Sequence, residues 1–201
     1  MKILVINWRC MHNPLAGGAE SMSRAPHSTQ AIRTGQKMGD VSFTDMMIGA
    51  LNDPFGVGHM GVTAENVAAE NQITRDQQDA FAVESQRRAA AAVEAGYFKS
   101  QILPIEVKVK RDMVAFDTDE HIKAGTTMES LAKLRPAFKK DGRVTAGNAP
   151  GLNDGAAAVA VASREFAEKN GHTPLARVVG YGQAAVEPKW VFSAPIYAIP
   201  K

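Results

Sequence analysis

The sequence predicts an α/β chain, and three observations predict it. A loop of small and turn-forming residues, Val144 to Gly155, runs into the uncharged stretch Ala156-Ala157-Ala158-Val159-Ala160-Val161-Ala162, which reads as a strand buried on both faces. Thr74 with Gln77 three residues on forms a capping-box pattern, opening a helix that runs to about Ala95 and stops at Gly96. Ile105, Val107 and Val109 alternate with Glu106, Lys108 and Lys110, the pattern of a half-exposed strand.

The first half of the central loop, Val144-Thr145-Ala146-Gly147-Asn148-Ala149-Pro150-Gly151-Leu152-Asn153-Asp154-Gly155, is the oddest part of the composition. Glycine lets another backbone or a ligand come close, and Asn and Asp bond back to their own main chain. Two readings fit these residues: a surface turn before a core strand, and a loop bordering a ligand pocket.

A chain of 201 residues holds one ordinary domain with a core, or one domain and part of another. Its 45% apolar and 22% charged content is that of a globular chain. The 23 basic and 21 acidic residues are dispersed, which excludes the concentrated basic face of a nucleic-acid binder. Cys10 is the one cysteine, so no internal disulfide framework forms and a reducing compartment suits the chain. The run Ile3-Leu4-Val5-Ile6 breaks at Asn7-Trp8-Arg9, too short for a signal-peptide core or a membrane span. The expected location is the cytoplasm.

The remaining elements follow in order. His27, Met38, Met46, Met47 and Met60 lie among polar spacers and read as a satellite core under a long loop, methionine being a flexible gap-filler. Asp53-Pro54-Phe55-Gly56 is a turn. Thr63 caps a first helix, and the capped helix after it turns Ala82, Ser85, Ala89, Ala92 and Val93 to one side for close packing, with charges opposite. Asp117, Asp119, Glu120 and His121 cluster as metal ligands do, but no second cluster at ligand spacing supports them, and a solvated acidic loop is the preferred reading. Thr126 with Glu129 opens a short helix ended by Pro136 at Arg135. Ser163 caps another over residues 164–170, closed by Gly171, and Leu175 to Tyr181 reads as a strand with Arg177 exposed.

Three blocks carry a family resemblance. Val144 to Ala158 resembles the Thr-Ala-Gly-Asn-Ser/Ala-x-Gly-x-Asn-Asp-Gly-Ala-Ala segment of the thiolases, the acetyl-CoA acetyltransferase group. Gly58-His59-Met60-Gly61-Val62-Thr63-Ala64-Glu65-Asn66-Val67-Ala68 is similar to their His-Met-Gly-x-Thr-Ala-Glu-Asn segment, and Ala132-Lys133-Leu134-Arg135-Pro136-Ala137-Phe138 matches a third. The blocks fall in family order, and the likeness covers about Ala16 to Pro195.

The resemblance implies a thiolase-like α/β fold made of partial core domains and the inserted α+β loop domain. Residues 1–23 would be a remnant of the N-terminal core, 24–151 the loop domain, and 152–201 the last N-core strand and helix with the start of the C-terminal core. Asn13-Pro14-Leu15 stands where the family has a buried strand before Ala16-Gly17-Gly18, and proline cannot donate to a central ladder, so that strand is expected to be damaged. Residues from about Thr29 to Asp45 match the excursion that builds a homo-oligomer, a tetramer or dimer, in bacterial members.

The implied activity is acetyl-CoA C-acetyltransferase, joining two acetyl groups as acetoacetyl-CoA or splitting them again, with a coenzyme A thioester as substrate and no permanently bound cofactor. The family's chemistry is covalent: a thiolate attacks a thioester, and a histidine and a second cysteine move protons. Their Cys-x-Ser-Gly-like, Gly-His-Pro and Cys-x-Gly-Gly motifs do not occur here, and Cys10 sits in no such motif, so no catalytic residue is assigned and the chain reads as an incomplete form. The alternative is a non-catalytic coenzyme A-binding or oligomerisation module.

What the resemblance does imply is a coenzyme A site. His59 and Met60 match the pair at the acyl and pantetheine end, although a lone histidine between glycines is ordinarily a satisfied loop residue. Leu51, Lys123, Ser130, Phe138 and Ala146 match positions along the cofactor path, Lys123 standing where an arginine often meets phosphate; lysine keeps the charge and loses the planar fork. Pro150 replaces a serine whose hydroxyl meets the pantetheine in many members, so that bond is absent.

Overall fold

The computed structural model describes residues 15–201, so the expectations on Cys10, on the Ile3–Ile6 run and on Asn13 and Pro14 lie outside the described residues. In chain order the regular elements are β1 (Leu15–Ser21), β2 (His27–Ser28), α1 (Ala31–Thr34), β3 (Thr44–Asp45), α2 (Met46–Leu51), β4 (Asn52–Asp53), β5 (Gly58–His59), α3 (Met60–Glu70), α4 (Arg75–Glu94), β6 (Ile105–Val109), β7 (Asp112–Phe116), α5 (Met128–Ala132), β8 (Asp154–Ala160), α6 (Arg164–Lys169) and α7 (Ala194–Ala198). Helices and strands mix along the chain, as the α/β reading requires. They divide into two compact units, one of the described residues up to Met60 with Leu152–Lys201, the other Gly61–Gly151.

The first unit is built on an antiparallel ladder of β1 and β8, in register from Leu15 opposite Ala160 to Ser21 opposite Asp154. Beyond its end the Asp154 carboxylate takes the Ser23 backbone N–H at 2.9 Å and the Ser23 hydroxyl. Those bonds, the hydroxyl's foremost, hold the Asp154 carboxyl below its ordinary value. The strand expected at 156–162 therefore exists, two residues earlier, but its expected burial does not: every residue of β8 is exposed. An uncharged run can be buried only if something covers it, and among the described residues β1 is the one strand paired with it. Ala16-Gly17-Gly18, which follows the position where the resemblance implies a damaged strand, lies within β1.

Small antiparallel pairs close the loops of this unit. His27 pairs Asp45 and Ser28 pairs Thr44, so residues 29–43 form an excursion pinched at its base. The satellite core expected there is absent: Met38 is 90% exposed, and Met46 and Met60 are also exposed. The thioether of Met46 instead meets the Ser28 hydroxyl at 2.8 Å. Asp53 to Gly56 turns as expected, Asp53 Oδ1 accepting the Phe55 N–H at 2.7 Å. Ser163 caps α6 by accepting the Phe166 N–H at 3.2 Å. The strand expected over Leu175 to Tyr181 does not form; the segment pairs with no described strand and Leu175, Val178, Val179 and Tyr181 all face solvent.

Helix α3 begins at Met60, the last residue of the first unit before the second opens at Gly61, so Thr63 lies inside the helix and is buried instead of capping it. The Thr74 capping box opens α4 as expected, with Gln77 Oε1 accepting the Thr74 N–H at 2.8 Å, and Ala95 is the C-cap. The packing face of α4 differs from the expected one: Ser85 and Val93 are exposed, and the residue fully buried on the helix is charged, Asp79. The segment 105–109 forms β6, which pairs with β7 in a hairpin, but the expected half-burial is not met: Ile105 and Val109 are exposed and only Val107 of the three is half-buried, because pairing along the edge does not cover a face. The short helix α5 is capped by Thr127 with Ser130 rather than by Thr126 with Glu129, and it ends at Ala132, before Arg135.

Candidate functional site

The loop from Val144 to Gly151 is held by buried polar groups rather than by an apolar lining. Thr145 is fully buried, with 0% exposure; its hydroxyl accepts the Gly147 N–H at 3.2 Å, and its N–H goes to Asn148 Oδ1 at 2.8 Å. The Asn148 amide spends its two protons on Asp79 Oδ1, at 2.8 Å, and on the Arg143 carbonyl, at 3.0 Å. Asn and Thr here bond their own turn, as such residues do in tight loops.

Two helix residues anchor that turn from below. Glu65 of α3 is 4% exposed, and its Oε1 accepts the backbone N–H groups of Arg143 and Val144 at 2.7 and 2.8 Å. Asp79 of α4 is 2% exposed and binds Arg75 Nε through Oδ2 at 2.7 Å. Charges this deep persist only when paired and hydrogen-bonded, and each carboxylate has two directed donors. The Arg143 guanidinium donates from Nη1 to the carbonyls of Ala68 and Ile73, both at 2.8 Å, which fastens the loop to the end of α3.

Close approach then fixes two glycines. A Cβ on Gly147 would overlap the methyl carbons of Leu131 and Leu134, and one on Gly61 would overlap the Phe138 ring. The backbone of Ala137 also bonds the Val144 carbonyl at 2.9 Å. The block around Phe138 and the loop are therefore packed together.

Each residue singled out in the sequence has a place. Within the second unit, Phe138 is half-buried, and Ala146 and Pro150 are exposed on the pinned loop. Lys123 is exposed; its backbone N–H donates to Gln86 Oε1 at 2.7 Å, docking its loop on α4. The Ser130 hydroxyl completes the α5 cap, accepting from the Thr127 N–H at 3.0 Å and donating to the Thr127 carbonyl at 2.7 Å. In the first unit, Leu51 closes α2 and is half-buried, His59 is half-buried in β5 opposite Asn52, and Met60 opens α3.

Beside Gln86 on the outer face of α4, Arg87 holds both Glu84 oxygens at 2.7 and 2.8 Å and Arg88 holds one at 2.6 Å. Hydrogen bonds from Arg87 and then Arg88 keep the Glu84 carboxyl down at about 2. The acidic cluster 117–121 is a turn, with His121 N–H on Asp119 Oδ1 at 2.9 Å, and the described residues contain no group of three His, Cys, Asp or Glu placed to hold a metal ion. No helix among them is long and apolar enough to cross a membrane.

Glu65, Asp79 and Arg75 were not singled out by residue type; Asn148 was, as a turn residue that bonds its own main chain. The signals were present: Arg75 and Asp79 stand at i and i+4, and Glu65 and Asn148 lie inside two of the three quoted blocks.

Comparison with known proteins gives a consistent picture. A family model described as thiolase, N-terminal domain, matches residues 6–165. The beta-ketothiolase BktB of Cupriavidus necator is 56% identical over 185 residues, 92% of this chain and 47% of its own length. An acetyl-CoA acetyltransferase of Paracoccus denitrificans is 50% identical over the same shares of the two chains. Among solved structures, the acetyl-CoA acetyltransferase of Bacillus anthracis matches with a TM-score of 0.89 at 45% identity, covering 94% of this chain and 48% of that one. Human mitochondrial 3-ketoacyl-CoA thiolase in complex with CoA matches with a TM-score of 0.86 at 44% identity, covering 94% and 47%. The chain spans about half the length of the relatives it matches.

Proposed function

The chain belongs to the thiolase family, and from that membership we propose that it is part of an acetyl-CoA C-acetyltransferase and supplies coenzyme A-binding surface rather than reacting groups. The observation that carries this reading is the loop pinned by Glu65 and Asp79, which holds Ala146 and Pro150 outward on a rigid turn packed against the Phe138 block. A flexible thioester carrier is bound well by a surface whose own ordering cost has been met in folding. Lys123, exposed beside α4, supplies a positive charge suited to phosphate. Ser130 acts through its backbone and position, because its hydroxyl is committed to the α5 cap.

Leu51, His59 and Met60 carry the same assignment by family resemblance, His59 and Met60 for the acyl and pantetheine end. The reaction proposed for the whole protein is condensation of two acetyl-CoA molecules to acetoacetyl-CoA, or its thiolytic reverse, with no permanently bound cofactor. The printed names of the relatives support that reaction class. Residues 29–45, pinched at their base and carrying the exposed Ile32 and Met38, are assigned to contacts between copies in a homo-oligomer, and the cytoplasm is the proposed location.

Thiolysis of acetoacetyl-CoA, followed with a Cys10→Ser control, tests the chemical part. The 201-residue chain is expected to show no cysteine-dependent turnover while still binding coenzyme A; cysteine-dependent thiolysis would restore Cys10 as a nucleophile. The second reading, a non-catalytic coenzyme A-binding or oligomerisation module, shares the binding prediction and draws on the exposed Ile32 and Met38 of the 29–45 excursion.

A further inference from the structure

Asp79 stands between the two segments that carry the candidate coenzyme A residues of the second unit. Through Oδ1 it takes the Asn148 amide at 2.8 Å, and through Oδ2 it takes Arg75 Nε at 2.7 Å. The same guanidinium reaches past it, Nη2 donating to the carbonyls of Leu131 at 2.6 Å and Leu134 at 3.2 Å. One carboxylate on one helix is thus bonded to the turn before Pro150 and, through Arg75, to the chain between Ser130 and Phe138.

We propose that Asp79 is a positioning residue for the coenzyme A surface, setting the spacing between the Ala146–Pro150 wall and the Ser130–Phe138 wall. The proposal rests on the coenzyme A reading above. Burial on α4 does not require a charge, since the half-buried Ala82 and Ala89 of the same helix carry none. A carboxylate left 2% exposed carries a desolvation cost that its two directed bonds must offset. What those bonds add is geometry. A fully satisfied buried network has one low-energy arrangement, so it fixes both partners at once. Arg75, 23% exposed at its side chain, relays the constraint, and lysine in its place would reach one acceptor but not fork to several.

The test uses three variants of the full chain. Asp79→Asn keeps the shape but sets an NH₂ group against one of two donors, Asn148 Nδ2 or Arg75 Nε. Amide exchange is expected to quicken by about tenfold or more in both 128–138 and 143–150, with the capped start of α4 unchanged. Arg75→Lys is expected to loosen 128–138 alone, and Asn148→Ala 143–150 alone. Coenzyme A binding by calorimetry is expected to weaken about tenfold in Asp79→Asn, the factor that one lost charge-assisted bond corresponds to. Unchanged affinity in Asp79→Asn, or exchange quickened uniformly through α3 and α4, overturns the proposal. A folded wild-type chain that binds no coenzyme A overturns the binding reading instead, and the exchange pattern still decides the coupling. Should Asp79→Asn not fold, Arg75→Lys and Asn148→Ala decide: if neither loosens its own segment, Asp79 positions nothing.

Discussion

The Glu65 carboxylate on α3 lies 2.8 Å from the backbone nitrogen of Val144, 79 positions later, and the same Oε1 takes the Arg143 N–H at 2.7 Å. Glu65→Ala leaves the buried Val144 N–H and the half-buried Arg143 N–H without that acceptor and is expected to destabilise the chain by about 3–5 kcal/mol, since bonds to charged groups are worth about 1.5–3 kcal/mol each. Glu65→Gln keeps an acceptor oxygen and is expected to cost about 1–2 kcal/mol. Urea unfolding of the two variants checks the order; equal losses would mean that the carboxylate charge, not its acceptor geometry, is what matters.

The glycines that permit close packing are expected to resist a methyl group. Gly61→Ala meets the Phe138 ring and Gly147→Ala meets Leu131 and Leu134, each expected to cost about 1–3 kcal/mol by overpacking. Gly125→Ala meets nothing within 4 Å and is expected to stay within about 0.5 kcal/mol of wild type. Thermal unfolding of the three side by side gives the answer.

Acid should act at the end of the β1–β8 ladder. The Asp154 carboxyl is held below its ordinary value of 3.8 by the Ser23 hydroxyl and then the Ser23 N–H. A folded-state value below the unfolded one means that the contribution is complete above the ordinary value, declines as pH falls below it, and is gone once pH passes the folded value. Asp154→Asn is therefore expected to be less stable than wild type at neutral pH and to lose less on acidification toward pH 3. Parallel pH curves for the two would show that Asp154 contributes nothing in this range.

Removal of the Thr74 cap is a local test of α4. Thr74→Ala loses the acceptor for the Gln77 N–H, now at 3.2 Å, and is expected to cost about 1 kcal/mol, with Thr74→Ser restoring most of it. Helix content by circular dichroism and urea midpoints report both.

Much of the fold was legible because it is written locally. The Thr74 capping box, the Ser163 cap and the Ile105–Val109 strand depend on neighbours three or four residues away, and all appear. What failed depends on neighbours far away. Ala156 to Ala162 has the composition of a buried strand, and Leu175 to Tyr181 that of a ladder strand, yet burial and pairing belong to partners rather than to the run itself. Thr63 and Thr126 show a narrower lesson: a capping residue is set by where the preceding backbone enters the helix, and that entry shifted to Met60 and Met128. At the candidate site, the Val144–Gly151 loop and the block around Phe138 stand out in the sequence as segments and pack on each other, whereas the residues that hold the loop, Glu65 and Asp79, look like ordinary helix-surface acids until the loop closes on them.

If the second unit carries the proposed preformed coenzyme A surface, titration calorimetry of coenzyme A into the folded chain will register it. Saturable binding is predicted, weakened about tenfold by Lys123→Ala and by Phe138→Ala while both variants keep the wild-type circular dichroism spectrum. A folded wild-type chain that gives no binding heat at several temperatures, or binding indifferent to both substitutions, would contradict it.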